Sequence, residues 1–375
     1  MKSFIPVAAP ALVGNEMNYV QNCLKTGWIS SCGEYVEQFE HKFAEFCNVN
    51  HALSCCNGTA ALHLALLALD IGPGDEVIVP TLTFVATANA VSYCGATPVF
   101  IDSEPQTWNL DTNQIEGLIT ERTKAIIVVH LYGHPADMDP IKNIAKKHSL
   151  WVIEDAAEAH GAEYKGEKVG SLGDIATFSF YGNKIITTGE GGMITTNNSE
   201  LAQKMLQLKG QGMDPHRRYW FPIIGYNYRL TNIASAIGLA QLEKIEWHIA
   251  RKREIAKNYV HQLKDIGNIS FQPEMPWAKN VYWMSSILLD ENCIVSRDQL
   301  MNILGETGIE TRPVFYPMHT LPIYREKNKE VRYPVAEHIA SKALNLPSGV
   351  SLTEKELSYI CSTIKQAVQH IRPIS

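Results

Sequence analysis

The stretch Leu150-Trp151-Val152-Ile153-Glu154-Asp155-Ala156-Ala157-Glu158-Ala159-His160-Gly161 decides how most of this chain is read. Its aliphatic opening predicts a buried strand over 151–154. Asp155 ends that strand with a carboxylate. In open α/β sheets, ligands bind beyond the carboxyl ends of the strands, so Asp155 is placed at a ligand crevice. Asp155, Glu158 and His160 then fall within six residues, among alanines and a glycine. That density of polar groups on small neighbours suggests the wall of a tight pocket.

Working outward, short runs rich in Val and Ile predict further strands over 76–79, 98–101, 125–130, 176–180 and 193–195. Amphipathic segments over 60–69, 86–93 and 140–147 lie between several of them. Strands alternating with helices indicate a mostly parallel sheet covered on both faces, an α/β fold. Beyond residue 230 the pattern changes. Long helices are predicted over 231–246 and 249–263, the second with a solvated face of Lys, Arg and Glu. A smaller α+β region follows, with a strand near 282–289, a helix near 297–306 and a last helix near 355–369. Pro313, Pro317 and Pro322 mark an irregular segment within it.

Bulk composition bounds the function. The 375 residues suffice for two lobes, and 45% hydrophobic against 19% charged is a globular balance. A formal net charge of −6 argues against nucleic acid as the main partner. The 8 cysteines include no Cys-x-x-Cys pair, so neither a zinc site nor a disulfide framework is expected. Reduced thiols, the lack of a signal-peptide layout and the lack of an apolar run of ~20 residues point to a cytoplasmic protein without a membrane span.

Asn57-Gly58-Thr59 stands directly before a helical run. Free backbone N–H groups at such a start form an anion site, although a plain N-cap by Asn57 or Thr59 explains the same residues. Ser179 would add a hydroxyl to the anion. Phe84 sits where a strand turns into a helix and would stack on a flat ring, or simply fill core. Asp155 would keep a pyridine nitrogen protonated; the alternatives are a helix cap or a metal-binding acid. The metal reading weakens because the chain has no Gly-x-x-x-x-Gly-Lys-Ser/Thr loop. His130 and His134 are four apart, but Tyr132-Gly133 and Pro135 break the helical geometry a metal pair would need. Asn227 lies in a polar aromatic loop, Gly225-Tyr226-Asn227-Tyr228-Arg229-Leu230.

Lys184 lies in Ser179-Phe180-Tyr181-Gly182-Asn183-Lys184-Ile185-Ile186-Thr187-Thr188-Gly189-Glu190-Gly191-Gly192. A solvated lysine does not need glycines and short polar neighbours at a crowded turn. A desolvated lysine has a lowered pKa and attacks aldehydes. An anion site, a strand-end carboxylate and a reactive lysine suit one cofactor, pyridoxal 5′-phosphate (PLP).

These segments, with Thr81-Leu82-Thr83-Phe84 and Thr311-Arg312-Pro313-Val314-Phe315-Tyr316-Pro317-Met318-His319, resemble the DegT/DnrJ/StrS group of nucleotide-sugar aminotransferases. The resemblance covers nearly the whole chain. It implies the fold-type-I PLP architecture: a large domain with a mostly parallel seven-stranded sheet between helices, and a smaller α+β C-terminal domain. The corresponding division is 1–245 and 246–375. By the same resemblance Lys184 carries the cofactor as a Schiff base and Asp155 pairs with its ring nitrogen. Phe84 stacks on the ring, and Gly58, Thr59 and Ser179 hold the phosphate. Asn183 and Glu158 belong to the same cofactor site. Many members carry glutamine where this chain has Glu158, near the ring hydroxyl. Asn227 is expected to reach the phosphate of a neighbouring subunit, which implies a homodimer with shared active sites; further pairing to a tetramer is left open. Lysine rather than histidine at 184 implies transamination rather than dehydration. Within the family, Asp214–Pro222 and 282–286 resemble members acting on a GDP-linked 4-keto-6-deoxymannose, with L-glutamate as amino donor. Arg312, Tyr316 and His319 are the candidates for gripping the nucleotide sugar, and no metal is expected. UDP- or dTDP-linked keto-sugars are the alternative substrates, and a non-catalytic PLP-fold regulator is the alternative of another class.

Overall fold

In the computed structural model, which describes residues 4–369, the strand that ends in Asp155 lies at the centre of a seven-stranded sheet. The order across the sheet is His51–Cys55, Gly192–Thr196, Ile175–Ser179, Trp151–Asp155, Thr123–Val129, Glu76–Pro80 and Thr97–Ile101. Gly192–Thr196 runs antiparallel to both of its neighbours. The strands from Ile175–Ser179 to Thr97–Ile101 pair in parallel. The first three and last six residues of the two expected domains lie outside the described residues.

Six of these strands follow the aliphatic runs of the sequence to within two residues. His51–Cys55 is the exception. Its His-Ala-Leu-Ser-Cys has neither a β-branched nor an aromatic residue, so no local propensity marks it. Antiparallel pairing with Gly192–Thr196, far along the chain, makes it a strand. Ile153, Ile126, Ile127 and Val128 are fully buried in the sheet. Each such side chain contributes about 1.5–3 kcal/mol relative to exposure.

Helices pack onto the sheet. Gly58–Ala68 lies against Ile175–Ser179 and Gly192–Thr196, and Met138–His148 against Trp151–Asp155. The helix expected over 231–246 is broken: Asn232–Leu242 ends, and Ile245–Leu263 starts anew two residues later. Thr231 caps the first through Ala234 N–H, whereas the second begins with no side-chain cap.

Ile245–Leu263 leads into a four-stranded antiparallel sheet in the order Ile269–Phe271, Ser285–Leu289, Ala343–Leu346, Arg312–Pro313. Helices Arg297–Glu306 and Glu354–Gln369 belong to this region. Ser296 and Gln299 form a reciprocal capping box that fixes the start of the first. Tyr259, Leu263, Ile287, Leu300, Leu344, Ile360 and Ile364 build an apolar core separate from that of the large sheet. The expected strand near 282–289 is shorter than read, because Tyr282 takes a positive φ of 49° and bends the chain before Ser285.

Candidate active site

The carboxyl ends of three neighbouring parallel strands, Thr123–Val129, Trp151–Asp155 and Ile175–Ser179, open onto one cavity of about 720 Å³. Gly58, Thr59, Phe84, Asp155, Glu158, Ser179, Asn183, Lys184 and Arg312 all line it. Residues far apart in sequence therefore meet where an α/β sheet is expected to bind ligand.

Asn57 is the N-cap of Gly58–Ala68, its Oδ1 accepting from Ala60 N–H at 2.8 Å. The capping reading of this turn is thus correct. It is compatible with an anion site, because the helix itself offers no acceptor to the N–H groups of its first turn. Gly58 sits tightly on Ser179: a Cβ added to it would lie 2.8 Å from the Ser179 Cβ. The glycine lets the helix start approach the end of the neighbouring strand.

Asp155 is buried. Its Oδ2 accepts from the Thr87 hydroxyl at 2.7 Å and its Oδ1 from Ala157 N–H at 3.3 Å. Burial raises its pKa, and these donors, with the nearby Lys184, oppose the rise. Glu158 is also buried, with Oε2 accepting Tyr132 N–H at 2.8 Å. Desolvation pushes its carboxyl up to about 7.

Lys184 occupies an irregular loop held at both ends. Its own N–H donates to Tyr181 O at 3.0 Å, while Phe180 N–H donates to Gly191 O at 2.8 Å. Lys184 Nζ lies 3.7 Å from Glu158 Oε1 and 3.8 Å from the centre of the Trp283 ring. Burial lowers the amine pKa, and the Glu158 and Asp155 carboxylates partly restore it. The Trp283 indole is fixed in turn, its Nε1–H donating to Asn183 O at 2.7 Å. Its ring lies nearly parallel to Tyr132, which stacks on Phe315 with centroids 5.3 Å apart. Phe84 stands over half exposed and tilted toward Phe315 at 5.8 Å.

Two polar atoms at the cavity wall, His63 Nε2 and Asn183 Oδ1, are buried with no hydrogen-bond partner. With the N–H groups of the helix start, the accepting carboxylate floor and the desolvated amine, they form a set of donors and acceptors that fits a phosphorylated, ring-bearing aldehyde.

The other candidates lie elsewhere. His319 is buried, with Nδ1 at 2.8 Å from Thr81 Oγ1 and Nε2 at 3.2 Å from Glu337 Oε1, so both ring nitrogens are engaged. Tyr316 is exposed outside the cavity lining. Asn227 is exposed, and its Oδ1 accepts from Arg229 at 3.3 Å. His130 and His134 do not meet: His130 Nε2 pairs with Glu154 Oε2 at 3.0 Å, and His134 Nδ1 contacts Pro135 O at 2.7 Å. Among the described residues no cluster of three or more metal-ligating side chains occurs. His160 packs its ring between Phe178 and Phe180 and lies outside the cavity lining.

Sequence reasoning missed Thr87, Tyr132 and Trp283. Thr87 had a usable signal, since it lies one helical turn after Thr83 at the start of a helix facing Asp155. Tyr132 lies 26 residues from Glu158, and Trp283 lies 99 from Lys184 within the 282–286 stretch singled out above, so no local pattern shows either contact.

The model of the DegT/DnrJ/EryC1/StrS aminotransferase family matches residues 10–365. GDP-perosamine synthase of Caulobacter vibrioides is 54% identical over 97% of this chain and 98% of its own length. The Escherichia coli O157:H7 protein of the same name is 52% identical over 97% and 98%. Among solved structures, a Streptococcus pneumoniae protein assigned as a sugar aminotransferase, in its PLP form, superposes with a TM-score of 0.92. It has 27% identity and covers 97% of this chain and 98% of its own.

Proposed function

The chain belongs to the DegT/DnrJ/EryC1/StrS aminotransferase family, and on that premise we propose that it is a GDP-perosamine synthase. It transfers the amino group of L-glutamate to the C4 keto group of GDP-4-keto-6-deoxy-D-mannose, giving GDP-perosamine and 2-oxoglutarate. The observation that carries this reading is the buried Lys184 amine beside Glu158 in the cavity floored by Asp155. The choice of sugar rests on the two relatives of that name. The amino sugar is a building block for O-antigen.

Pyridoxal 5′-phosphate is the cofactor; when bound it supplies an aldehyde that carries the amino group and a protonated ring that draws electrons from the reacting carbon. Asp155, held by Thr87 and Ala157, would pair with the ring nitrogen. The N–H groups of Gly58 and Thr59 and the Ser179 hydroxyl would hold the phosphate. Phe84 would cover one face of the ring, and Glu158 and Asn183 would complete the polar wall. Lys184 Nζ is the covalent anchor. When free, its amine would remove the Cα proton of glutamate in the first half-reaction and deliver a proton to C4 of the sugar in the second. Burial favours its neutral, nucleophilic form.

A homodimer is part of the proposal. Asn227 is exposed, and the neighbouring Tyr219, Trp220, Phe221 and Ile224 present a large apolar surface. Such a surface suits burial against a second copy, where Asn227 would reach the other copy's phosphate site. No described helix is long and apolar enough to cross a membrane; a cytoplasmic location belongs to the proposal.

Replacing Lys184 with alanine tests the reading. The variant is expected to lose both turnover and the yellow, borohydride-reducible chromophore. Borohydride treatment of the unmutated protein should fix the cofactor to the peptide carrying Lys184. An unchanged visible spectrum in the variant would sink the assignment.

A further inference from the structure

Two groups flank Lys184 Nζ: the Glu158 carboxylate at 3.7 Å, and the face of the Trp283 ring at 3.8 Å from its centre. Both touch a third residue, Tyr132. The Tyr132 N–H donates to Glu158 Oε2 at 2.8 Å, and the Tyr132 ring lies 13° from parallel to Trp283 with centroids 6.0 Å apart. Phe315 completes the group, nearly parallel to both rings at 5.3 and 6.5 Å, and its N–H donates to the Tyr132 hydroxyl at 3.0 Å. Tyr132 is fully buried inside one chain, so a second copy can neither supply nor remove these contacts.

The backbone at this point is strained. Tyr132 follows strand Thr123–Val129 of the large sheet and takes a φ of 55°, in the left-handed region that residues other than glycine rarely adopt. Tyr282, the residue before Trp283, does the same with a φ of 49°. Gly133 joins the two bends: a Cβ there would lie 2.9 Å from the backbone nitrogens of both Tyr282 and Trp283, and its carbonyl accepts Val281 N–H at 3.1 Å. Strain of this kind persists only where the surroundings over-determine it, and it gathers at functional sites. Here it falls on the two turns that carry Tyr132 and Trp283. The orientation of Trp283 matters to the amine. A ring face attracts a cation, more strongly where water is excluded, whereas a ring edge does not. Burial lowers the Lys184 pKa, and the Trp283 face opposes that by favouring the charged amine. The indole N–H bond to Asn183 O fixes one end of the ring, and the parallel Tyr132 ring fixes its tilt.

We propose that Tyr132 is a positioning residue that holds the Trp283 face against the Lys184 amine and so sets how firmly that amine keeps its proton. This inference rests on the reading of Lys184 as the cofactor's anchor, and its test uses protonation rather than turnover. Enzyme loaded with pyridoxamine 5′-phosphate, which carries an amine in place of the aldehyde, leaves Lys184 free. The rate at which acetic anhydride acetylates Lys184, followed by peptide mass across pH, gives the midpoint of its amine. The nearby titratable groups, Glu158, Asp155 and His160, are the same in every variant. Trp283→Leu should lower the midpoint by about 0.5–1.5 pH units, the size of one desolvated cation–π contact. Tyr132→Leu should reproduce most of that fall, and the double variant should go no further than Trp283→Leu alone, because Tyr132 acts through Trp283. Tyr132→Phe keeps the ring and loses only the hydroxyl that Phe315 N–H uses. Its melting temperature should fall while its midpoint stays. A purely structural role would move melting temperature and midpoint together. An unchanged midpoint in Tyr132→Leu would overturn the proposal. Should that variant not fold, an unchanged midpoint in Trp283→Leu, or a midpoint in Tyr132→Phe as low as that of Trp283→Leu, would overturn it instead. So would a double variant whose shift is the sum of the two single ones. Loading with PLP should protect Lys184 from acetylation altogether. Without that protection the anchor reading would fall, while the midpoints would still decide this proposal.

Discussion

Replacing Glu158 with glutamine removes one carboxylate at 3.7 Å from Lys184 Nζ and changes little else. The amide keeps an oxygen for the Tyr132 N–H that Glu158 now accepts at 2.8 Å. At an effective dielectric of ~20, two unit charges at that spacing attract by about 4.5 kcal/mol. That equals about 3 pKa units and is the ceiling for the effect on the amine. Glu158 carries its charge only above about pH 7, since burial holds its carboxyl there. Above that pH it keeps the proton on Lys184. In cofactor-free protein, the rate at which acetic anhydride acetylates Lys184, followed by peptide mass, reports the free amine. The Glu158→Gln midpoint is expected to fall by about 1–3 pH units. An unchanged or higher midpoint would refute the electrostatic reasoning. Stability gives an independent check. The folded-state pKa of Glu158 is raised from 4.5 to about 7, so the folded protein holds a proton that the unfolded chain has released. Its contribution is fully present below 4.5 and is lost as pH rises through 7, a change on the order of 3 kcal/mol. Urea melts of the cofactor-free protein should therefore show Glu158→Gln gaining on the unmutated chain between pH 5 and pH 8.

Thr87→Val removes the hydroxyl that donates to Asp155 at 2.7 Å. Losing a hydrogen bond to a charged group costs about 1.5–3 kcal/mol, so the apparent Kd for PLP should rise about tenfold or more. The loss should deepen as pH falls, because Asp155 then protonates more readily; a Kd equal to that of the unmutated protein would contradict this. Gly58→Ala drives a methyl to 2.8 Å from the Ser179 Cβ. Overpacking of that kind costs about 1–3 kcal/mol and here would part the helix start from Ser179. Retention of PLP on dialysis should drop, and full retention would show that the turn tolerates the strain.

The parts of the fold written in local pattern were legible in the sequence. The aliphatic run before Asp155 and the polar cluster after it gave both the central strand and the cavity floor. Pairing between distant segments was not legible. His51–Cys55 is a strand only because Gly192–Thr196 lies beside it. Trp283 meets Lys184 across 99 residues of chain, directly after the bend at Tyr282. His319 stands differently. The family resemblance makes it a candidate substrate contact, and in the fold Thr81 and Glu337 engage both of its nitrogens, which no local pattern shows. Two helices were legible with a break at 247–248, but its position was not: Glu243 and Lys244, ordinary helix formers, stand between Asn232–Leu242 and Ile245–Leu263.

The most direct test of the account is side-by-side turnover of the purified enzyme with L-glutamate and GDP-, UDP- or dTDP-linked 4-keto-6-deoxyhexoses. Products are read by mass spectrometry. The account predicts GDP-perosamine and 2-oxoglutarate in equal amounts from the GDP-linked sugar, and none from the Lys184→Ala variant. No 2-oxoglutarate from the GDP-linked sugar, or faster turnover of a UDP- or dTDP-linked one, would contradict it.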